Sequence, residues 1–410
     1  MTSAVVETGN SARRTGTPLE VLAAFSRLGM TCFGGPIAHL GYFRAEFVER
    51  RRWLDEREFA DLVGLCQFLP GPASSHTGFA IGLMRGGYLG GLAAWIGFTL
   101  PSAALLILFA YGAGSIANSP LGAGLLHGLK LVAVAIVAQA VWGMGRSLCP
   151  DRQRASIATV AAILVLFAPS SLGQIGAIAL GGLAGLVLCR TPPGTSPAAI
   201  PEPLRTPISR SVAIACLALF AALLVLPPLV RNFSSGIALF DAFYRSGALV
   251  FGGGHVVLPL LRDAVVTPGW VSNDAFLAGY GATQAVPGPL FTFAAYLGAV
   301  LHGPFGGLVG AAIALVAIFL PGLLLMGTLP FWDALRSRPL AQAAMRGVDA
   351  AVVGLLGAAL YNPVWTSAVL TPADFALALF GFVLLVIWRA PPLLVVAVGA
   401  FGGIALGALG

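Results

Sequence analysis

The chain has 410 residues, of which 58% are hydrophobic and only 10% are charged. Soluble domains carry about a quarter charged residues, so this composition excludes a soluble protein and indicates helices in a lipid bilayer. The net charge of +7 comes from 23 basic residues, all arginine except Lys130. Most of these arginines lie in short loops between apolar runs, a pattern typical of membrane topology signals rather than of a nucleic-acid surface.

The N-terminal part of the chain begins with a polar tail, 1–18, that lacks the apolar core of a signal peptide. Segments 19–41 and 58–84 then begin and end among arginine-rich loops and are too short to cross a bilayer twice. Gly34-Gly35-Pro36 and Pro70-Gly71-Pro72 interrupt them midway. We therefore expect two re-entrant hairpins of half-helices. Full spans are expected over 91–112, 121–145, 155–170 and 172–189, which completes a first repeat over 19–189.

The second half of the chain repeats the motifs of the first half. Phe25-x-Arg27-x-Gly29 recurs 218 residues later as Phe243-x-Arg245-x-Gly247, and Gln67-x-x-Pro70-Gly71-Pro72 recurs 217 residues later as Gln284-x-x-Pro287-Gly288-Pro289. Trp53 likewise aligns with Trp270, and Arg85 with His302. The repeat predicts hairpins over 236–261 and 275–301, followed by spans over 308–330, 345–362, 374–388 and 391–409.

Arginine counts in equivalent loops indicate that the two repeats are inverted. Loop 42–57 holds five arginines and its counterpart 260–273 holds one, whereas loop 113–126 holds none and its counterpart 331–346 holds three. The positive-inside rule then places equivalent loops on opposite sides of the membrane, as in many secondary transporters.

One unpaired span produces this inversion. We expect a cytoplasmic linker over 190–210, a connecting span over 211–230 and a second, inverted repeat over 231–410. The predicted fold is an all-α polytopic membrane protein with about nine full spans and four re-entrant hairpins. The alternative is that the hairpins are long tilted helices that pair as full spans.

The four Gly/Pro breaks predict a substrate site at the repeat interface, because irregular backbone at membrane depth survives only inside protein or beside a wet cavity. Half-helix N-termini favour an anion. Glycines let backbone amides approach the anion, glutamine side chains donate hydrogen bonds to it, and small polar side chains after the breaks supply further neutral donors. These candidates are Gly34, Gly35, Gly252, Gly253, Gly254, Gln67, Gln284, Ser74, Ser75, His76 and Thr292.

Charged residues at depth are few, and each has two interpretations. Arg27 and Arg245 are equivalent in the repeat and either bind an oxyanion or extend to the membrane surface. Lys130 aligns with Asp349, and the two are either a structural ion pair or a coupling site. The scarcity of carboxylates disfavours a cation site.

Together, these motifs resemble those of the chromate ion transporter superfamily in its long, two-domain bacterial form. The matching segments are FGGP, the loop ending at Trp53, QFLPGPASSH, FGGGHVVLPLL and QAVPGPLFTFAAYLG, and they extend over nearly the whole chain. The resemblance implies efflux of chromate across the inner membrane and chromate resistance, with sulfate as a related anion. The motif residues that it carries over are Gly34, Gly35, Pro36, Gln67, Pro70, Gly71, Pro72, Gly252, Gly253, Gly254, His255, Gln284, Pro287, Gly288 and Pro289.

We therefore expect a secondary active exporter whose N-terminus lies in the cytoplasm. We do not expect the protein to be an enzyme. Import of sulfate or another oxyanion is the first alternative, and a membrane-embedded enzyme acting on phosphorylated lipid is an alternative of another class. The expected partners are chromate, sulfate and the lipid bilayer, with a homodimer left open and no nucleic acid. No cofactor or metal is expected.

Overall fold

The computed structural model describes residues 16–116, 119–168, 170–190, 208–251, 254–329, 331 and 338–409. Every regular element in these ranges is helical, which confirms the predicted all-α class. Most of the expected tail 1–18 and linker 190–210 lies outside the described residues. Many helices begin at a Ser, Thr or Asp whose side chain accepts a backbone N–H of the first turn. These residues are Thr17, Asp55, Ser119, Asp151, Ser170, Ser209, Ser272 and Thr371.

The helices of the first half, with the one that follows them, are α1 (Pro18–Thr31), α2 (Gly35–Phe43), α3 (Glu56–Phe68), α4 (Ala73–Ile116), α5 (Pro120–Leu148), α6 (Arg152–Phe167), α7 (Ser171–Leu188) and α8 (Arg210–Val230). Helix α4 turns back on itself at Gly86 and Gly87, whose backbone angles are not helical. A Cβ on Gly82 would lie 2.4 Å from the carbonyl oxygen of Gly90, so the arms 73–85 and 88–116 pack side by side.

The second half contains α9 (Ser235–Ala248), α10 (Val257–Val265), α11 (Asn273–Thr283), α12 (Phe293–Val300), α13 (Leu308–Met326), α14 (Pro339–Ala359), α15 (Pro372–Val386) and α16 (Pro392–Leu409). Short 3-10 turns, Gly254–Val256 and Leu290–Thr292, precede α10 and α12. Helices therefore stop at all four predicted breaks, which confirms the broken-helix pattern.

Five helical stretches are long and apolar enough to cross a membrane: Ala73–Gly112, Pro120–Leu148, Arg210–Val230, Leu308–Met326 and Pro339–Ala368. They contain five of the nine predicted spans. The other four predicted spans fall on α6, α7, α15 and α16, which are helices of 15 to 18 residues. The chain is thus a multi-pass membrane protein, and the crossing by these four shorter helices stays a prediction.

Both hairpins of the first repeat return to the face from which they start. Arg85, at the end of the first arm of α4, forms an ion pair of 3.2 Å with Glu20 in the first turn of α1. Its guanidinium carbon also lies 5.0 Å from the centre of the Trp53 ring, in the loop between α2 and α3. The start of α1, the loop at Trp53 and the turn at Arg85 therefore lie together, so segments 19–41 and 58–84 are re-entrant.

The second repeat forms the equivalent cluster with different side chains. The backbone N–H of His302 donates to the carbonyl of Trp270 at 3.2 Å. A Cβ on Gly236, at the start of α9, would lie 3.2 Å from the Phe305 ring. Trp270 and His302 occupy the positions that align with Trp53 and Arg85, so the hairpins of the second repeat also begin and end on one face.

These two clusters lie on opposite faces of the protein. The second arm of α4 begins at residue 88, just after the turn that follows Arg85. After 23 residues of this arm, about 35 Å of helix, the Tyr111 hydroxyl lies 3.1 Å from the Cβ position of Gly307, beside His302. Helix α13 starts at Gly307, and its last turn packs at Leu325 into the same apolar cluster as Trp53. Each crossing helix therefore starts on its own repeat's face and ends on the other, which confirms the inverted repeat.

Helix α8 connects the two faces. Ile208 and Ala213, at its start, pack in the apolar cluster of Trp53. Its end at Val230 leads through a short 3-10 turn into α9, which starts on the face of Trp270. Because α8 crosses the membrane once between the repeats, the second repeat has the opposite orientation to the first.

Thiol labelling from one side of the membrane tests the inversion. In a variant without the five native cysteines, we expect a membrane-impermeant maleimide outside intact cells to label His302→Cys. Arg57→Cys, in the opposite cluster, should be labelled only after permeabilisation. Labelling of both positions from the same side would contradict the inverted arrangement.

Candidate functional site

Two reciprocal hydrogen bonds join the breaks of the two repeats. The backbone N–H of Gly71 donates to the carbonyl of Val250 at 2.7 Å, and the N–H of Gly288 donates to the carbonyl of Cys32 at 2.8 Å. Gly71 aligns with Gly288 in the repeat, and Cys32 aligns with Val250. Each Pro-Gly-Pro break thus binds the end of the broken helix of the other repeat. All four breaks meet in one region between the repeats.

Only glycine fits at the donor position of each junction. Gly71 and Gly288 have φ of 117° and 99°, in the left-handed region that side chains disfavour. A Cβ on Gly71 would lie 2.8 Å from the His76 ring, and one on Gly288 would lie 2.7 Å from the Ser102 hydroxyl. The duplicated glycines are therefore needed for close contact between the repeats.

A small cavity lies beside the Gly288 junction. Its lining includes six predicted site residues, namely Gly34, Gly35, Pro36, His255, Gln284 and Gly288. Its volume of about 20 Å³ is enough for one water molecule, so a larger ligand requires the breaks to separate. The amide nitrogen of Gln284 is buried without a hydrogen-bond partner among the described residues. This donor is available to a ligand in the cavity.

Tyr280 holds the histidine of this cavity. Its hydroxyl and Nδ1 of His255 are 2.6 Å apart, and the tyrosine is fully buried. A phenol that donates to Nδ1 leaves the proton of the neutral imidazole on Nε2, so His255 presents a second N–H donor. Sequence analysis missed Tyr280. The only signal was its spacing of four residues before Gln284, which places both residues on one helix face.

The polar residues after the first Pro-Gly-Pro lie at the other junction, beside Gly71. Ser74, Ser75 and His76 are all buried, at most 4% exposed. Ser74 Oγ lies 3.3 Å from Nδ1 of His39, a buried residue of α2. In the second repeat, the Thr292 hydroxyl donates to the carbonyl of Pro289 at 2.7 Å, so its hydrogen-bonding need is met locally.

Comparison with known proteins identifies the family. The family described as chromate transporter matches the chain twice, over residues 19–186 and 237–404. The chain belongs to this family. It is 29% identical to a chromate transport protein of Pseudomonas aeruginosa, over 93% of this chain and 90% of that protein. It is 26% identical to a chromate transport protein of Cupriavidus metallidurans, over 84% of this chain and 82% of that protein. No solved structure matches the chain significantly.

Membership of the chromate transporter family confirms the resemblance inferred from the motifs. Each matched segment contains one pair of broken helices, so the duplication in the family match is the duplication in the fold. The family and its named relatives are transporters, which also confirms that this chain is not an enzyme.

Several predicted site residues lie away from the cavity of this chromate transporter family member. The Arg27 and Gln67 side chains are exposed, and Arg245 binds Asp241, one turn earlier on α9, at 2.8 Å. None of these side chains lines the cavity. Pro70, Pro72, Pro287 and Pro289 flank the junction glycines within the breaks, and Gly252 and Gly253 lie outside the described residues.

Lys130 pairs with Asp274 and not with Asp349, so the ion-pair alternative is not found among the described residues, and a coupling role of Lys130 and Asp349 stays a prediction. The ammonium of Lys130 on α5 lies 3.0 Å from a carboxylate oxygen of Asp274, in the first turn of α11, which packs against α5. Asp349 lies on α14 and is close enough to Arg154 for their charges to interact. The alignment paired two residues by position in the repeat, whereas α11 brings a nearer carboxylate.

Replacing either junction glycine should destabilise the protein. For Gly71→Ala and Gly288→Ala we expect a fall of several degrees in melting temperature in detergent, because a positive φ costs about 1–3 kcal/mol and the new Cβ meets a buried side chain. Gly41→Ala is the control, since nothing lies within 4 Å of a Cβ in that helix. Wild-type melting temperatures for both junction variants would refute the requirement for glycine.

Proposed function

We propose that this protein is a secondary active transporter that exports chromate across the inner membrane and confers chromate resistance. Chromate binds among the four breaks, and one repeat rocks against the other to open the site to alternate sides. The moving units are the repeats 19–189 and 231–410, which linker 190–210 and span 211–230 connect. The N-terminus lies in the cytoplasm.

The observation that carries this proposal is the reciprocal pair of Gly71 and Gly288 hydrogen bonds. Both bonds join backbone groups of the breaks across the two repeats, and their near-symmetry gives the inward-open and outward-open states similar contacts. The adjoining cavity accommodates only about one water molecule. A transport cycle that separates the breaks provides the room that a tetrahedral dianion needs.

The donor chemistry of the cavity favours an anion. Its lining includes the Gln284 amide, the His255 imidazole and glycine backbone, and it contains no carboxylate. Neutral donors in a dry site bind a tetrahedral oxyanion by hydrogen bonds, as helix N-termini do. A cation would require carboxylate or carbonyl ligands.

Charge on the Trp53 face supports the cytoplasmic orientation. This face carries the arginine-rich loop, in which Glu46 binds Arg50 at 2.8 Å and Arg51 at 2.6 Å. Burial raises the pKa of Glu46, but these two ion pairs outweigh burial and hold the pKa below its usual value. Glu46 therefore stays ionised and pairs with two of the five arginines of the loop, and the arginine count itself supports a cytoplasmic face under the positive-inside rule.

The membrane potential favours export. Moving one elementary charge across 100 mV is worth about 2.3 kcal/mol, so a negative interior drives a dianion outward with roughly twice that free energy. Export therefore needs no nucleotide hydrolysis. Sulfate has the same shape and charge and should compete for the same donors.

Chromium accumulation in cells tests the proposed function. A chromate-sensitive strain that produces the protein should accumulate several-fold less chromium than the same strain without it, and excess sulfate should reduce the difference. Thr159→Val is the neutral control, because the Thr159 hydroxyl bonds only within its own helix.

Equal chromium accumulation, with the protein confirmed in the membrane, would reject export. If the protein instead restored growth to a mutant deficient in sulfate uptake, the same site would belong to an oxyanion importer.

A further inference from the structure

A cluster of buried polar residues lies next to the Gly71 junction, and none of its members lines the cavity at Gly288. We call this cluster the first-repeat chamber. Its residues are His39, Ser74, Ser75, His76 and Thr99, each at most 4% exposed.

Two buried hydroxyls of the first-repeat chamber, Oγ of Ser75 and Oγ1 of Thr99, have no hydrogen-bond partner within the described part of the chain. Ser74 Oγ contacts Nδ1 of His39, and the rings of His39 and His76 lie beside the backbone of Cys32 and Cys66. Buried polar groups are normally paired, so such a set points to a polar ligand.

The fold of the first repeat brings these residues together. Because α4 turns back at Gly86 and Gly87, Phe79 packs against Gly91, and the same antiparallel register places residues 75–76 opposite residues 94–97, within about one helical turn of Thr99. The ring of His39 packs edge-on against Phe98 at 5.3 Å. Helix α4 begins at Ala73, so the free N–H groups of its first turn lie beside these side chains.

The second repeat shows that this fold does not require polar residues here. The residues that align with the chamber, in the same order, are Val257, Phe291, Thr292, Phe293 and Phe319. The three phenylalanines are buried to 1% exposure or less and pack on neighbouring aromatic rings. The aligned region of the second repeat is therefore filled largely by apolar side chains, and the one hydroxyl there, of Thr292, is bonded to the carbonyl of Pro289, so the polar set in the first repeat needs an explanation other than packing.

We propose that the first-repeat chamber is a binding subsite for a tetrahedral oxyanion, separate from the cavity at Gly288, and that the second repeat has no such subsite. This inference rests on the proposed function and adds a location and an asymmetry to it. Hydroxyls, imidazole N–H groups and a helix N-terminus all donate to oxyanion oxygens. The five residues of the chamber include no carboxylate, which disfavours a hard cation such as Mg²⁺ or Ca²⁺. The transported anion thus has two binding positions, one at each junction.

Binding of radiolabelled sulfate and of chromate to the purified full-length protein in nanodiscs tests the subsite. Ser75→Ala and Thr99→Val each remove one unpaired hydroxyl without adding volume. We expect each to weaken oxyanion binding at least tenfold and to reduce the rise in melting temperature that the oxyanion causes. Without oxyanion, both variants should melt at or above the wild-type temperature, because no hydrogen bond is lost.

Thr159→Val is the matched control and should bind like the wild type. His76→Phe, which introduces the second-repeat residue, should abolish binding at this subsite and leave the binding at the Gly288 cavity. Wild-type affinity in both Ser75→Ala and Thr99→Val would overturn the subsite and mean that the chamber holds only water, while leaving transport intact. Absence of both oxyanion binding and transport in the wild type would instead overturn the proposed function, and the subsite with it.

Discussion

The structure depends on a constraint that lipid imposes on a broken helix. Backbone N–H and C=O groups freed at a break find no water in the bilayer core, so protein must satisfy them. Here the two repeats satisfy each other, because Gly71 binds Val250 and Gly288 binds Cys32. Each repeat thus completes one break of the other. The interface is therefore required by the backbone itself, and any movement between the repeats must exchange or stretch these two bonds.

The same constraint places polar chemistry at the interface and makes it asymmetric. Where the first repeat has His76, the second has Phe293 at the aligned position. The cavity at Gly288 draws its donors, Gln284 and His255, from the second repeat. The two halves thus contribute different side chains at equivalent positions of the repeats. A transported anion therefore meets different hydrogen-bond donors at successive steps.

The features of this architecture that depend on short sequence motifs were predictable from the sequence. Repeated Gly/Pro motifs located the breaks, although single prolines such as Pro101 and Pro321 lie inside helices, and arginine counts predicted the inversion. Side-chain partners were not predictable, because they depend on which helices pack together, as for Lys130 with Asp274 and His255 with Tyr280. Many of the glycines in the chain do not break helices but allow close contact between them. At contacts such as Gly128 with Gly399, a Cβ would strike the backbone of a neighbouring helix.

Anomalous X-ray scattering from chromium would test most directly whether an oxyanion binds among the breaks. Crystals of the full-length protein grown with chromate should show a chromium peak within hydrogen-bonding reach of residues 74–76 or 284–288, between the two junctions. A peak confined to the arginine-rich loop around Arg50, in a preparation that transports chromate, would contradict this account. The oxyanion would then be recognised by surface charge, and the interlocked breaks would serve only to hold the repeats together.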